Sequence, residues 1–507
     1  MERRHRRDAA VLSRIANVCG DVRKHGAIRE PGVLPPGPKQ RKKKVYEHVT
    51  DELLEFLNAT PTAFHAAANF ADRLRKAGFR KLSESEEYHL KPGDKAFVAR
   101  NGSSLIAFNI PKSPDPAFRV VASHSDSPTL KIKPSPEVKS GGYLRLNAEP
   151  YGGGLWHTWM DRPLTLAGRV LGLRDGEICG KLIFPDRDLL LIPSLAIHMD
   201  HKANEALSLN PQQHLLPVLG LTDAGRESAG AKPETERSGS EDGESFAGVK
   251  NVKENVEFLN LLSEASGFLA EDILSYDLVL ALRQKAVRWG KCGEFISGPR
   301  IDNMECAFAT LMGFLDARCR DISVICLFDN EEVGSTTRQG AASTFLRDTL
   351  IRIANALGMN WAGYLRAVAR GFMISTDNAH AVHPGYPEKA DPVCRPVPNG
   401  GIVLKHHAGQ KYTTDAVSAA VFKRICRPND IPWQEFANRS DMRGGSTLGN
   451  ISSTQVPFCT VDIGLAQLAM HSCFETAGAY DAPRMAAFTK AFFEEESLGI
   501  PEGELAL

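Results

Sequence analysis

Five short stretches of this sequence carry histidine and carboxylate side chains, the residue types that bind divalent metal ions. The stretches are Ser123-His124-Ser125-Asp126, Ile301-Asp302-Asn303, Asp329-Asn330-Glu331-Glu332, Thr376-Asp377-Asn378 and Met470-His471-Ser472. Each lies at or near the end of a predicted strand, which is where open α/β sheets place their sites. The pattern therefore predicts a metal site at one edge of a sheet.

Taken singly, each stretch has an ordinary structural explanation. His124 fits a hydrogen-bonded core histidine, Asp302 fits a helix N-cap, and Glu331-Glu332 fits the charged first turn of a helix. Asp377 fits a turn, and His471 fits a polar position on a helix. The presence of all five stretches in one chain favours a joint interpretation.

Two divalent ions about 3.5–4 Å apart need one bridging carboxylate and, for each ion, a further carboxylate and an imidazole. The sequence supplies ligands in that number, with Asp302 as the bridge, His124 and Asp377 for one ion, and Glu332 and His471 for the other. Asp126 is expected to accept the second N–H of His124 and so to fix its tautomer.

Glu331 is left free in this scheme and is expected to act as a general base. The chemistry predicted for such a centre is hydrolysis of an amide, in which Glu331 takes a proton from the attacking water and returns it to the leaving amine. Histidine and carboxylate ligands suit zinc, manganese and cobalt alike, so the residue types alone leave the metal open.

Two helices are predicted to open the folded part of the chain. Thr50, followed by Asp51-Glu52, is typical of a capped helix start, and apolar residues recur at helical spacing over residues 64–74. The Asn101-Gly102 pair then predicts a β-hairpin between two apolar runs. These elements place the first metal-binding stretch after a helical and β-hairpin region.

The later stretches follow further short elements. Residues 118–122, 322–328 and 371–375 are apolar runs typical of strands, and residues 342–357 have helical spacing. We therefore expect an α/β fold with a central mixed sheet flanked by helices.

Changes in composition and in local pattern along the chain predict its domains. Residues 130–285 are rich in short β-like stretches and glycine, so we expect an inserted β-rich domain that splits a catalytic domain of residues 45–129 plus 286–507. Residues 222–248 contain almost nothing apolar and predict a mobile surface loop. Residues 1–44 are rich in arginine, lysine and proline and predict a disordered basic extension.

Composition excludes some classes of function. Sixty-one basic residues balance 61 acidic ones, so no overall charge attracts nucleic acid or a membrane surface. No apolar run approaches the roughly 20 residues that span a bilayer. Ten scattered cysteines without C-x-x-C spacing indicate reduced thiols, and we expect a cytoplasmic protein, with organelle or vacuole targeting by the extension as the alternative.

The order and surroundings of these stretches resemble the aspartyl aminopeptidase family, the M18 binuclear zinc aminopeptidases. The resemblance covers residues 46–497 and rests on long strings: residues 60–65 (TPTAFH), 124–128 (HSDSP), 151–159 (YGGGLWHTW), 195–198 (LAIH), 377–384 (DNAHAVHP), 445–449 (GSTLG) and 467–472. It departs modestly from the family pattern, with Ser125, Pro163 and Leu448 at positions where other residues are usual.

The resemblance implies a zinc-peptidase fold, two zinc ions, and the roles given above for the five ligands and Glu331. It also implies peptide substrates with an acidic N-terminal residue, whose side chain would meet Lys405 near Tyr412. Further pocket elements would be His383 and the backbone of Gly445 and Ser446.

The resemblance further implies a homo-oligomer, a tetrahedral dodecamer, in which the inserted domain is a dimerisation domain. His198 would reach the active site of a neighbouring subunit.

Three other functions compete with an acidic-specific aminopeptidase. The first is a vacuolar-type aminopeptidase of the same family that prefers neutral or apolar N-terminal residues. The second is a catalytically silent assembly protein, which the presence of all five ligands and Glu331 disfavours. The third is a two-metal deacylase or carboxypeptidase, which would need different groups to anchor its substrate.

Overall fold

The computed structural model describes residues 38–113, 115–222 and 255–500. The expectations for residues 1–37, as part of a disordered extension, and for residues 223–248, as part of a mobile loop, lie outside these ranges. No helix in the ranges described is both long and apolar enough to cross a lipid bilayer.

The helices of the described residues are numbered in chain order. They are α1 (Pro38–Ala59), α2 (Ala63–Lys76), α3 (Pro211–His214), α4 (Val256–Ser266), α5 (Ile301–Asp316), α6 (Phe345–Ala356), α7 (Trp361–Ala369), α8 (Ala416–Cys426), α9 (Leu448–Gln455) and α10 (Asp481–Glu494).

The strands are numbered in the same way. They are β1 (Arg80–Lys81), β2 (Lys95–Arg100), β3 (Ser104–Asn109), β4 (Phe118–His124), β5 (Thr129–Ser140), β6 (Tyr143–Tyr151), β7 (Leu164–Arg174), β8 (Glu177–Ile183), β9 (Val218–Leu221), β10 (Ile273–Leu282), β11 (Val287–Trp289), β12 (Phe295–Gly298), β13 (Ile322–Phe328), β14 (Phe372–Thr376), β15 (Ala379–His380), β16 (Ile402–His406), β17 (Trp433–Ala437), β18 (Cys459–Gly464), β19 (Ala466–Leu468) and β20 (Glu475–Gly478).

A nine-stranded mixed sheet is the centre of the fold, in the order β1-β2-β3-β13-β4-β14-β18-β16-β17. Its inner strands β3, β13, β4 and β14 are buried on both faces because helices cover both sides of the sheet. Along β13, Ile325 and Leu327 enter the core beneath α1, α2, α5 and α10, whereas Val324 and Cys326 enter the core beneath α6 and α7. This is the α/β class that the sequence predicted.

Several elements match their predictions. The hairpin at Asn101-Gly102 is confirmed, since β2 and β3 pair antiparallel around it. The strand predicted at residues 322–328 has those bounds, and the strand predicted at 371–375 lies one residue later, as β14.

The predicted helix start at Thr50 is wrong. Helix α1 already begins at Pro38, and the Thr50 hydroxyl lies inside the fold, 2.8 Å from the carbonyl oxygen of Tyr46 and 2.5 Å from that of Ala479. A threonine can satisfy its hydroxyl within a helix by bonding the carbonyl four residues earlier, so the capping pattern alone does not mark a boundary. Residues 38–44, expected to be disordered, therefore belong to α1.

Two further sheets complete the architecture. Strands β5 to β10 form a six-stranded sheet, in the order β8-β7-β10-β5-β6-β9, with a core of its own. The residues of this sheet fall almost entirely within the stretch predicted as an inserted domain, whose role in pairing subunits stays a prediction. A five-stranded sheet, in the order β11-β12-β20-β19-β15, lies in the later part of the chain.

Candidate active site

Three neighbouring strands of the central sheet end at the same edge. Strands β13, β4 and β14 run parallel, so their carboxyl ends lie side by side. His124 is the last residue of β4, Asp329 follows β13, and Asp377 follows β14. The sheet order therefore brings residues from distant parts of the sequence to one place.

Glu332 follows β13 in the same region as Asp329, and the five-stranded sheet supplies the other two ligand candidates. Asp302 lies after β12, at the start of α5, where it and Asn303 have non-helical backbone angles. His471 lies in the turn between β19 and β20 and has a positive φ of 68°. Both residues thus lie on irregular backbone between regular elements.

The five predicted ligands face one another in two groups that share Asp302. In the first group, Nε2 of His124 lies 3.5 Å from Oδ1 of Asp302 and 3.4 Å from Oδ1 of Asp377. In the second, Nε2 of His471 lies 3.4 Å from Oδ2 of Asp302 and 3.4 Å from Oε1 of Glu332. The two oxygens of Asp302 thus face different groups.

The donor atoms fit a metal centre. Oδ1 of Asp302 and Oε1 of Glu332 are buried and accept no hydrogen bond from the described residues, although each faces an imidazole nitrogen, at 3.5 Å and 3.4 Å. Ligand atoms of His124, Asp302 and Glu332 lie within 4.8 Å of one another. Buried carboxylate oxygens without partners are costly, and a divalent cation would satisfy them. Imidazole and carboxylate together form a donor set that zinc accepts.

Burial raises the pKa of the two glutamates of this cluster. It raises the pKa of Glu331 to about 8, opposed by the positive charge of His124 and reinforced by Asp377. Burial and the nearby charge of Asp302 also raise the pKa of Glu332 well above its usual range. A bound cation would favour the ionised forms, so the site is electrostatically prepared for positive charge.

The histidines show the opposite balance. Burial lowers the pKa of His471, but its hydrogen bond to Asp302 and the charge of Glu332 outweigh burial and raise that pKa to about 10. Burial likewise opposes the charged form of His124, yet Asp126, Asp302 and other carboxylates hold its pKa well above 6.5. The carboxylates around both imidazoles therefore favour positive charge at this place in the fold.

Asp126 holds two parts of the cluster. Nδ1 of His124 lies 3.1 Å from the carbonyl oxygen of Asp126 and 3.4 Å from Oδ1 of its carboxylate. The carboxylate accepts hydrogen bonds from the backbone N–H groups of Glu331 and Glu332, each at 3.1 Å, and from the Tyr151 hydroxyl at 2.7 Å. Asp126 therefore orients His124 and fixes the turn that carries both glutamates.

Two residues that sequence reasoning missed orient His471. The carbonyl of Gly153 lies 2.6 Å from its Nδ1, which leaves Nε2 directed at Asp302 and Glu332. The carboxylate of Glu475 accepts the backbone N–H of His471 at 2.6 Å and that of Asp302 at 2.9 Å. The run of glycines at residues 152–154 was a signal for close backbone approach, but a single glutamate in a short strand carries no such signal.

A buried cation lies beside the ligand cluster. Lys405 on β16 is only 2% exposed, and its ammonium lies 3.6 Å from Oδ2 of Asp377 and 5.4 Å from the centroid of the Tyr412 ring. Burial lowers the pKa of Lys405, but Asp377 and Tyr412 outweigh it and raise that pKa above its usual value. The lysine is therefore charged at neutral pH.

The other predicted pocket residues lie on exposed backbone. His383 accepts a hydrogen bond from the backbone N–H of Gly385, and Ser446 pairs with Asn450 at the start of α9. Gly445 and His198 are also exposed. Within the ranges described, none of His383, Ser446, Gly445 and His198 forms a hydrogen bond or ion pair with the five ligands, so their roles stay predictions.

Comparison with known proteins identifies the family. The family described as aminopeptidase I zinc metalloprotease (M18) matches residues 56–493. The chain belongs to the M18 aminopeptidase family. It is accordingly a metalloaminopeptidase, a hydrolase of a family of zinc metalloproteases, and the resemblance drawn from its motifs is confirmed.

Relatives of this M18 chain extend over most of its length. A probable M18 family aminopeptidase 2 of Clostridium acetobutylicum is 40% identical over 442 residues, which cover 85% of this chain and 95% of that protein. A probable aspartyl aminopeptidase of Ricinus communis is 36% identical over 472 residues, covering 89% and 96%. The solved mApe1 dodecamer of S. cerevisiae is similar with a TM-score of 0.73 and 28% identity, covering 89% and 97%.

Proposed function

We propose that this M18 chain releases aspartate and glutamate from the N-termini of peptides by two-metal hydrolysis with Glu331 as general base. Two ions, zinc by family, would be held by His124 and Asp377 on one side, by Glu332 and His471 on the other, and by Asp302 between them. The support is the division of the ligand atoms into two groups around Asp302, each with an imidazole and a further carboxylate.

The chain's own residues then carry the proton transfers. Bound ions supply Lewis-acid polarisation of the scissile carbonyl and acidify the attacking water. Glu331 accepts a proton from that water and delivers it to the leaving amine. Its raised pKa suits a group that must both take and return a proton. The two N–H bonds to Asp126 hold its turn in place during both steps.

The preference for acidic residues rests on Lys405. A substrate carboxylate entering a buried pocket needs a cation there, and Lys405 is a charged ammonium 3.6 Å from the ligand Asp377. The ring of Tyr412 covers one side of this ammonium. This is the single observation that carries the acidic preference, and the name of the Ricinus communis relative agrees with it.

The remaining parts of the proposal concern the pocket rim and the assembly. His383 and the backbone of Gly445 and Ser446 would border the substrate. The chain would form a dodecamer, as its mApe1 relative does, with tetrahedral symmetry, and His198 on an exposed segment would complete a neighbouring subunit's site.

The proposal is tested with amides of N-terminal Asp, Glu, Leu and Ala, assayed for the zinc-loaded wild type, Lys405→Ala and the exposed-lysine control Lys389→Ala. We expect cleavage of the Asp and Glu substrates. Lys405→Ala should lower kcat/KM for them by about 10- to 100-fold, because a hydrogen bond to a charged group contributes about 1.5–3 kcal/mol. Lys389→Ala should match the wild type.

The panel also separates the alternatives. Preferential cleavage of the Leu amide by the wild type would replace the acidic preference with a neutral one. Equal losses for all four substrates in Lys405→Ala would assign the lysine to holding Asp377 rather than to recognition. Absence of cleavage of every substrate would favour a catalytically silent assembly protein.

A further inference from the structure

We propose that Glu475 is a positioning residue that sets the spacing between the two segments carrying Asp302 and His471, and thereby the affinity of the centre for its metals. The inference rests on the two-metal centre proposed above. It adds to that centre a residue that touches no metal.

The contacts of Glu475 are the first support. Its Oε2 accepts the backbone N–H of Asp302 at 2.9 Å, and its Oε1 accepts the backbone N–H of His471 at 2.6 Å. The residue is 1% exposed. One carboxylate thus binds the main chain of the shared ligand and of a ligand in the second group, and water does not compete for either bond.

The position of Glu475 in the sheet is the second support. Strand β20 pairs antiparallel with β12, and Glu475 lies opposite Gly298, the last residue of β12. The chain from Gly298 leads directly to Asp302. The pairing of β20 with β12 therefore fixes Glu475 beside the strand that leads to Asp302. Glu475 also lies four residues after His471 in the sequence.

The two segments need such a support because neither is held by regular structure. His471 has a positive φ, and Asp302 has non-helical angles at the start of α5. A backbone N–H left without an acceptor in a buried site is destabilising. Each carboxylate oxygen of Glu475 therefore helps to hold one of the two segments in place.

A glutamine cannot replace this function, although it has nearly the same shape. Its amide offers one acceptor oxygen, and its NH₂ group would face a second N–H donor. Glu475→Gln should release either the Asp302 segment or the His471 segment. Asp302 belongs to both ligand groups, so release of its segment weakens both ions, whereas release of His471 weakens one.

The chain offers a matched control in Asp481. It is also fully buried, and its carboxylate accepts two backbone N–H groups, from Asn399 at 2.6 Å and from Gly401 at 3.1 Å, besides a hydrogen bond from the Arg484 guanidinium at 2.8 Å. The segment that it holds carries none of the proposed ligands. Asp481→Asn removes one acceptor oxygen and weakens the pair with Arg484, so it should disturb the fold at least as much without altering the proposed metal centre.

The experiment compares full-length wild type, Glu475→Gln and Asp481→Asn. Each metal-free protein is titrated with zinc against a competing chelator, and its stability is measured separately by urea unfolding. We expect Glu475→Gln to bind at least one of two zinc ions about 10- to 100-fold more weakly, the range found for groups that support metal ligands. Asp481→Asn should bind both ions as the wild type does.

Wild-type zinc affinity in Glu475→Gln would overturn the proposal, and so would an equal loss of affinity in Asp481→Asn. A wild type that binds fewer than two zinc ions would overturn the centre itself, and with it the role of Glu475. If Glu475→Gln does not fold, Glu475→Asp carries the same test, because its carboxylate is one methylene too short to reach both N–H groups. Weakened zinc binding there supports the proposal, and wild-type affinity overturns it.

Discussion

Glu331 is the group on which the proposed proton transfers depend. It lies among the ligands without taking part in either group of ligand contacts, and burial raises its pKa to about 8. Replacing the Glu331 carboxylate with the amide of glutamine removes the base and keeps nearly the same shape. The Asp126 bonds reach the backbone at this position, so the replacement leaves the turn intact.

We therefore expect Glu331→Gln to lower kcat by about 10²- to 10⁴-fold, the range for loss of a general base. Zinc stoichiometry, measured by metal analysis of the purified protein, should stay at the wild-type value. Glu388→Gln, on an exposed turn, is the control and should retain wild-type activity. Full activity in Glu331→Gln would rule out every hydrolase mechanism considered for this site.

Protons and metal ions compete for the same cluster. His471 has a pKa raised to about 10 in the folded, metal-free state, so its stabilising effect is complete below pH 6.5 and is lost as the pH rises towards 10. His124 and Glu332 are shifted in the same direction. The metal-free fold should accordingly lose stability over this range.

Zinc affinity should change in the opposite sense and increase from pH 6 to pH 8, because bound zinc displaces these protons. Calorimetric titrations in buffers with different ionisation enthalpies would count the protons released. An affinity that stays constant over this range would contradict the shifted pKa values of the cluster.

The last residue of strand β18, Gly464, lies between the proposed ligand Asp377 and Lys405. A β-carbon at Gly464 would lie 1.8 Å from the carbonyl oxygen of Asp377 and 3.1 Å from Cε of Lys405. Only a glycine leaves room for both neighbours at this position. The element thus couples the metal centre to the proposed specificity group.

Gly464→Ala should therefore weaken zinc binding and reduce the preference for acidic substrates together. Overpacking costs about 1–3 kcal/mol of stability, and the backbone shift that relieves it would move Asp377 and Lys405 apart. Gly220→Ala on β9, where a new β-carbon meets nothing within 4 Å, is the control. If zinc affinity and substrate preference were both unchanged in Gly464→Ala, the backbone of β18 would have accommodated the methyl group and the prediction would be wrong.

At the level of elements, local patterns predicted well where a local rule decides the outcome. The Asn101-Gly102 hairpin and the apolar run of β13 follow from turn chemistry and from burial on both faces. The boundary at Thr50 failed because α1 continues through it, which depends on packing against the segment that contains Ala479. Such distant partners are invisible to a pattern read along the chain.

Three apolar side chains are exposed in one short segment, residues 195–199. Leu195, Ile197 and Met199 are 57%, 46% and 74% exposed and lie beside His198. Apolar side chains grouped on a surface in this way are typical of contact sites. The proposed dodecamer provides a partner surface for them.

Met199→Glu should lower the molar mass of the assembly, because a charge would be buried at a subunit contact without a partner. Light scattering coupled to size-exclusion chromatography measures the mass directly. Val393→Glu is the control, since Val393 is 83% exposed in a different part of the chain. Retention of the wild-type mass by Met199→Glu would remove this segment from the interface.

The sequence by itself determined the α/β class and the identity of the residues that could bind metal. Its long motifs also determined the family, because strings such as residues 151–159 are too specific to arise from composition. These properties depend on residue type and local spacing. Both can be recognised along a single chain.

Only the tertiary structure decided how those residues meet. The order of β13, β4 and β14 brings His124 and Asp377 together, and the pairing of β12 with β20 places Glu475 between Asp302 and His471. Gly153 and Glu475 act through contacts that involve the main chain. Every residue has a main chain, so the residue types along the sequence do not predict such contacts. Their roles arise from distances across the fold, and those distances are set by sheet pairing rather than by local spacing.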